Sequence, residues 1–235
     1  MSETNRLLFP APPVPAVPIR GRVERVPVRR IFCVGRNYEA HATEMGTVVD
    51  REAPFYFTKA AGHYVASGAT VPYPPGTTSY HYELELVAVM GAPAFRVPVD
   101  RALECVFGYA CGLDMTRRDL QSAAKEQRRP WDLGKDFEAS AVLAEIVPAA
   151  EIGHPRAGRI ELRVNGQIKQ SSDLSLLIHG VPEVIAHLST FYHLQAGDVI
   201  YTGTPEGVGP VTPGDVLAGT VDGVGSIALT IGDPL

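Results

Sequence analysis

The run HYELELVAVMG, residues 81–91, constrains the fold more than any other segment. Side chains two apart on a strand share a face, so Glu83, Glu85, Val87 and Val89 point one way and Leu84, Leu86, Ala88 and Met90 the other. Both faces turn apolar within two residues of the glutamates. A strand apolar on both faces belongs inside a sheet that is covered on both sides. Its mouth then carries two like charges, which must be protonated, paired or bound to a cation once they are buried. The competing reading is an edge strand with two solvated glutamates.

A third acid sharpens the choice. Asp114 ends VFGYACGLDMT, another strand-like run, in which Gly112 permits close backbone approach. Three carboxylates from two strand ends suit a hard cation such as Mg²⁺, Mn²⁺ or Ca²⁺ and leave coordination positions for water and substrate. No Cys/His cluster has zinc-finger spacing.

The 235 residues, 45% hydrophobic and 20% charged, fit one domain with an appended arm. A formal net charge of −5 without a Lys/Arg stripe argues against nucleic acid as the main partner, and EQRRPW is too short to overturn that. The three cysteines, Cys33, Cys105 and Cys111, lie in apolar runs with no CxxC pair, as expected of reduced core thiols in a cytoplasmic protein. No apolar stretch reaches membrane-spanning length, and prolines break LLFPAPPVPAVPI. Residues 1–29 are therefore expected to form an extended arm, laid across a neighbouring subunit, and residues 30–235 a single catalytic domain.

RRIFCV reads as a strand ending at Gly35, and RNYEAHATEMG as a short helix closed by Gly46. PFYFTK and ATVPY read as short strands and VPVDRALECV as a connecting helix. TRRDLQSAAKEQ has helical composition, with Thr116 a candidate cap. In IELRVNGQIKQ, Asn165-Gly166 between two alternating runs marks a hairpin. VPEVIAHLSTFYHL carries a helical apolar stripe of Val184, Ile185, Leu188 and Phe191. With 23 Gly and 20 Pro, the pattern predicts a turn-dense α+β fold around curved mixed sheets.

His41 and Glu44 lie three apart on one helical face, where a carboxylate can orient an imidazole as a general base; a simple surface pair is the alternative. Arg118 and Gln121 repeat this spacing just after Asp114, and arginine is the usual two-pronged partner of a carboxylate. Lys135 sits in the loop PWDLGKDF. YTGTPEGVG places Thr202 and Thr204 among glycines, as an anion-binding loop or a plain turn. Neither GxxxxGK[ST] nor a strand followed by GxGxxG is present.

Seven segments in order, FCVGRNYEAHATEMG, PFYFTKA, HYELELVAVMG, GYACGLDMTRRDLQ, RPWDLGKDFEASA, LRVNGQIKQ and GDVIYTGTPEGVG, resemble the fumarylacetoacetate hydrolase family. That resemblance implies a mixed β-sheet roll with a few short helices, usually a homodimer, with Glu83, Glu85 and Asp114 holding Mg²⁺ or Mn²⁺. It implies further that His41 and Glu44 activate water, and that Lys135, Arg118, Gln121 and Thr204 bind substrate or stabilise an intermediate. The implied reaction is hydrolysis of a carbon–carbon bond in a 2,4-dioxo acid, with fumarylpyruvate from gentisate breakdown the expected substrate. An acylpyruvase or oxaloacetate decarboxylase, or a 2-hydroxy-dienedioate isomerase, shares the metal site. Arg36 or Arg118 would bind a substrate carboxylate, and the sequence does not decide which. Glu138 and Val142 depart from the family pattern, where Asp and Pro are expected, and bear on loop shape.

Overall fold

In the computed structural model, residues 7–46 and 51–235 are described, so the first six residues of the expected arm lie outside the described residues. A mixed eight-stranded sheet runs Phe55–Lys59, Arg30–Gly35, Asp198–Tyr201, Leu84–Met90, Val106–Asp114, Ala141–Leu143 and Tyr64–Ala66, with Val147–Pro148 added beside Val106–Asp114. A five-stranded sheet, from Gln167–Asp173 through Arg159–Val164, Val216–Val221 and Gly225–Gly232 to Thr70–Pro72, packs on one of its faces. The α+β class with few short helices is as the sequence predicts.

The Leu84–Met90 strand is buried along its whole length, and its two faces feed different cores. Leu84, Leu86, Ala88 and Met90 join the large core shared with the five-stranded sheet, while Val87 and Val89 join a smaller one. Neighbouring strands obey the same alternation: Phe32 and Val34 go to the large core, Ile31 and Cys33 to the small one. Each fully buried Leu, Ile or Val contributes roughly 1.5–3 kcal/mol, so a one-residue slip would expose a whole row of them and the register is strongly fixed. Glu83 and Glu85 share the parity of Val87 and Val89. They therefore stand where the small core gives way to a cavity.

Several local expectations change. The arm is not simply extended: Ala16–Pro18 pairs antiparallel with Arg25–Pro27, and Val17 and Val28 complete the small core. Ile146 N–H donates to Pro18 O at 2.8 Å, and Arg20 N–H donates to Ile146 O at 2.9 Å. The proline-rich segment thus folds onto its own chain, because alternation puts Val17 and Ile19 on one face that an open edge can bury. Thr116 is not a cap; it lies in the Thr116–Arg117 strand, and Arg117 precedes the Arg118–Glu126 helix without a side-chain cap. The segment before Val106 is a 3₁₀ helix, Val99–Cys105. Phe191, the last residue of the Val181–Phe191 helix, is exposed, so the stripe ends at Leu188. Residues 141–148 form two short strands, Ala141–Leu143 and Val147–Pro148. Asn165 and Gly166 have φ of 51° and 79°, the left-handed pair of a type I′ hairpin turn.

Gly112 opposes Glu85 across the two central strands. A Cβ there would lie 2.5 Å from Val87 Cγ2 and 2.6 Å from the Tyr201 ring. Tyr201 cannot swing aside without losing its 2.8 Å hydrogen bond to Val142 O. Gly112→Ala is therefore expected to destabilise by about 1–3 kcal/mol, measured as a lowered denaturation midpoint; a midpoint equal to wild type would contradict this packing.

Candidate active site

Sheet register explains why charge collects at one place. Asp114 N–H donates to Glu83 O at 2.9 Å, tying together the mouths of the two central strands. Residues directly opposed in an antiparallel pair share a face, and the pairs Ile31↔Lys59 and Cys33↔Phe57 put Lys59 and Phe57 on the small-core face. The one-turn helix Asp132–Lys135 then lowers Lys135 onto the same end of the sheet.

The acids and cations interlock. Lys135 Nζ lies 2.8 Å from each of Glu83 Oε2, Asp114 Oδ2 and Thr116 Oγ1. Arg118 pairs with Glu83 Oε1, and its other amino group donates to Gln121 Oε1 at 2.6 Å. Lys59 Nζ donates to the Met115 and Lys135 carbonyls and stands 2.9 Å from Asp114 Oδ1. Burial alone would raise the Glu83 carboxyl, but the Lys135 and Arg118 charges outweigh it and hold the group well below its usual range. Glu85 behaves oppositely: burial, with Asp114 and Glu83 nearby, pushes it well above that range. Lys135 resists its own burial because Asp114 and Glu83 favour the ammonium form.

Glu83, Glu85 and Asp114 can each offer an oxygen within 4.8 Å of the others. Two further observations fit a divalent cation here. Asp114 Oδ1 is buried and accepts no hydrogen bond, its contact with Lys59 being an ion pair outside hydrogen-bond geometry. Burial and the neighbouring acids disfavour the ionised form of Glu85, an effect that an added positive charge would offset.

His41 lies on the Glu39–Glu44 helix, shorter than the segment 36–46 expected from sequence. Its Nδ1 is 3.2 Å from Glu44 Oε2, and Glu44 in turn accepts from Gly207 N–H at 3.1 and 3.2 Å. Burial lowers the His41 pKa, with Glu83 and Glu44 opposing. The loop suspected of anion binding does hold anions, but they belong to the protein: Gly203 N–H donates to Glu85 Oε2 at 2.6 Å, and Gly207 N–H to Glu44. Its hydroxyls turn inward. Thr202 donates to Leu86 O, while Thr204 donates to Leu84 O and accepts from Gln170.

A cavity of about 40 Å³ is lined by His41, Glu83, Glu85, Arg118, Gln121, Lys135, Thr204 and Arg36. Glu44 and Asp114 adjoin it through His41 and Lys135. All the candidate residues thus meet in one place. Lys59 is an addition to the residues expected from sequence, and Gly203 and Gly207 act through the glycine loop toward carboxylates of the protein itself. Lys59 left only a trace in the sequence, as a lone charge two residues beyond Phe57 on one strand face.

The fold and this carboxylate–lysine centre define a class of mixed-sheet proteins with a candidate metal centre. Residues 30–232 match the fumarylacetoacetate (FAA) hydrolase C-terminal family, and the chain belongs to it. It is 57% identical over 190 residues to the fumarylpyruvate hydrolase of a Ralstonia species, covering 80% of this chain and 98% of that one. It is 39% identical over 206 residues to the mitochondrial oxaloacetate tautomerase of Homo sapiens, covering 88% and 93%. The crystal structure of fumarylpyruvate hydrolase from Pseudomonas aeruginosa in complex with Mn²⁺ and pyruvate superposes with a TM-score of 0.93 at 47% identity, covering 97% of this chain and 100% of that one.

A cation bound at this triad would leave a signature independent of catalysis. Mn²⁺ or Mg²⁺ at about a hundred times its dissociation constant should stabilise chelator-treated protein by roughly 2.7 kcal/mol, seen as a raised melting temperature. Glu85→Ala or Asp114→Ala should lose most of that shift. No shift in the wild-type protein would overturn the site.

Proposed function

We propose that this chain is a metal-dependent hydrolase that splits a carbon–carbon bond of a 2,4-dioxo acid, converting fumarylpyruvate and water to fumarate and pyruvate. The observation that carries the reading is the convergence of three carboxylates, a buried lysine and an oriented histidine on one cavity, in a chain this close to a fumarylpyruvate hydrolase.

Glu83, Glu85 and Asp114 hold Mg²⁺ or Mn²⁺, which supplies Lewis acidity at the 2-oxo-acid end of the substrate. Glu44 accepts from His41 Nδ1–H and leaves Nε2 free to take a proton from water. That water attacks the C4 carbonyl. The C3–C4 bond breaks, its electron pair passes to the pyruvate enolate, and the proton taken by His41 returns to C3 to complete pyruvate. Lys135, held at the centre of the acids, offers its ammonium charge to the enolate. Arg118 is less available than its residue type suggests, since Glu83 and Gln121 already engage both of its terminal nitrogens.

The tautomerase relative favours a second reading, in which His41 only moves protons on an oxaloacetate-like acid. Assays with fumarylpyruvate, acetylpyruvate and oxaloacetate separate the two, because only hydrolysis yields two products. A homodimer is proposed on family grounds and is checked by light scattering. The three free cysteines support a cytoplasmic setting. Among the described residues no helix is long and apolar enough to cross a membrane.

His41→Ala should lower kcat by roughly 10²–10⁴-fold with little effect on the metal-dependent melting shift. Because burial lowers the histidine pKa from 6.5, the neutral base persists to more acid pH than usual. kcat/KM should therefore fall as pH drops through a midpoint below 6.5, and His41→Ala should abolish that limb. A variant retaining full turnover with fumarylpyruvate would overturn the dyad.

A further inference from the structure

The cavity at the acids is too small for the whole substrate of the reaction above. About 40 Å³ accommodates roughly three waters, enough for a 2-oxo-acid end but not for a four-carbon acyl tail as well. A second cavity of about 530 Å³ adjoins it, sharing Arg36, Phe57, Lys125, Trp131 and Lys135 as lining. A tail that begins at the acids extends into this vestibule past Arg36.

Arg36 is built unlike an ordinary surface arginine. Its φ is 59°, a left-handed conformation that costs a non-glycine residue free energy and is found disproportionately at binding sites. Its guanidinium lies 5.9 Å from the Phe55 ring and 5.7 Å from the Trp131 ring, and those two rings meet edge-on at 5.0 Å. The aromatic shelf orients the cation, yet no carboxylate pairs with it among the described residues, whereas Arg118 is bound on both sides by Glu83 and Gln121. The surroundings are cationic. Lys125, Arg128 and Arg129 line the same vestibule, with Asp132 the sole acid in its lining among the described residues. Burial and the Arg36 and Arg118 charges lower the Lys125 pKa, as expected where positive charge lacks a counter-ion.

We propose that Arg36 is the specificity-determining residue for the hydrolysis, binding the distal carboxylate of dianionic acylpyruvates with Lys125 beside it. The inference rests on the hydrolase reading and resolves the choice between the two arginines left open by the sequence. An acylpyruvate ending in a methyl group would occupy the inner cavity and leave the vestibule's charge unanswered.

The test compares fumarylpyruvate, its distal methyl ester and acetylpyruvate. Wild-type, metal-loaded enzyme should cleave the free acid with kcat/KM roughly 10–100-fold above the ester and acetylpyruvate. Arg36→Asn removes the charge but tolerates left-handed backbone. Its loss on fumarylpyruvate should exceed its loss on acetylpyruvate by at least about tenfold, and Arg36→Lys should recover part of the difference. A structural role alone would lower both substrates equally, and that result overturns the inference while leaving the hydrolase reading intact. Should Arg36→Asn fail to fold, the wild-type comparison of acid with ester decides, and equal rates overturn the inference. Cleavage of none of the three by wild type overturns the hydrolase reading and this inference with it.

Discussion

The Lys135 ammonium is the interaction on which the site depends. Charges buried this deeply each cost several kcal/mol unless paired and hydrogen-bonded, and Lys135 meets that condition with Glu83, Asp114 and Thr116 together. The arrangement requires three segments to arrive at one point: the strand mouths at Glu83 and Asp114, and the short helix Asp132–Lys135. The last can approach only because residue 134 is glycine; a Cβ there would lie 2.7 Å from Gln121 N and 2.8 Å from Gln121 Cβ. Lys59 completes the cluster from the edge of the sheet, holding the Lys135 carbonyl and flanking Asp114. The acids Glu83, Glu85 and Asp114 thus face the three cations Lys135, Arg118 and Lys59, and a divalent ion added to this cluster would leave it with excess positive charge suited to an anionic substrate.

Glu85 and Glu44 stand in different parts of the site, yet one loop holds both. Gly203 and Gly207, four residues apart, direct backbone N–H groups at the two carboxylates. The distance between the three clustered acids and the histidine is therefore set by a short stretch of backbone rather than by flexible side chains. A general base at His41, as proposed, would need this rigidity, since small displacements of the base cost large factors in rate.

What the sequence revealed was what depends on local parity. Glu83, Glu85, Val87 and Val89 share a face because alternation is intrinsic to a strand, and Asp114 was legible because its strand ends in a charge after an apolar run. His41 and Glu44 followed from helical spacing in the same way. What stayed hidden depends on register between distant segments. Lys59 enters the site only because it opposes Ile31, and no pattern within PFYFTK states that pairing. Thr116 looks like a cap by composition, but the chain remains extended through Arg117 and its hydroxyl serves Lys135 instead. The proline-rich arm read as extended because proline weakens strands, yet Val17 and Val28 found an open edge of the small core.

The two arginines show how a tie in sequence is broken by partners. Arg118 and Arg36 have equal claims by residue type, but Arg118 already neutralises Glu83, and withdrawing it to bind substrate would leave a buried carboxylate less well paired. Among the described residues, Arg36 surrenders no such ion pair. The consequence reaches the chemistry itself. A 2,4-dioxo acid fixed at one end can still rotate its C4 carbonyl away from His41, whereas one held at both ends presents that carbon in a single orientation. Binding energy from the remote carboxylate is then realised as orientation at the reacting carbon. On the proposed reading, a cation held by the acids would take the end that every 2-oxo acid shares, and the vestibule would decide which tails reach the geometry in which water can attack.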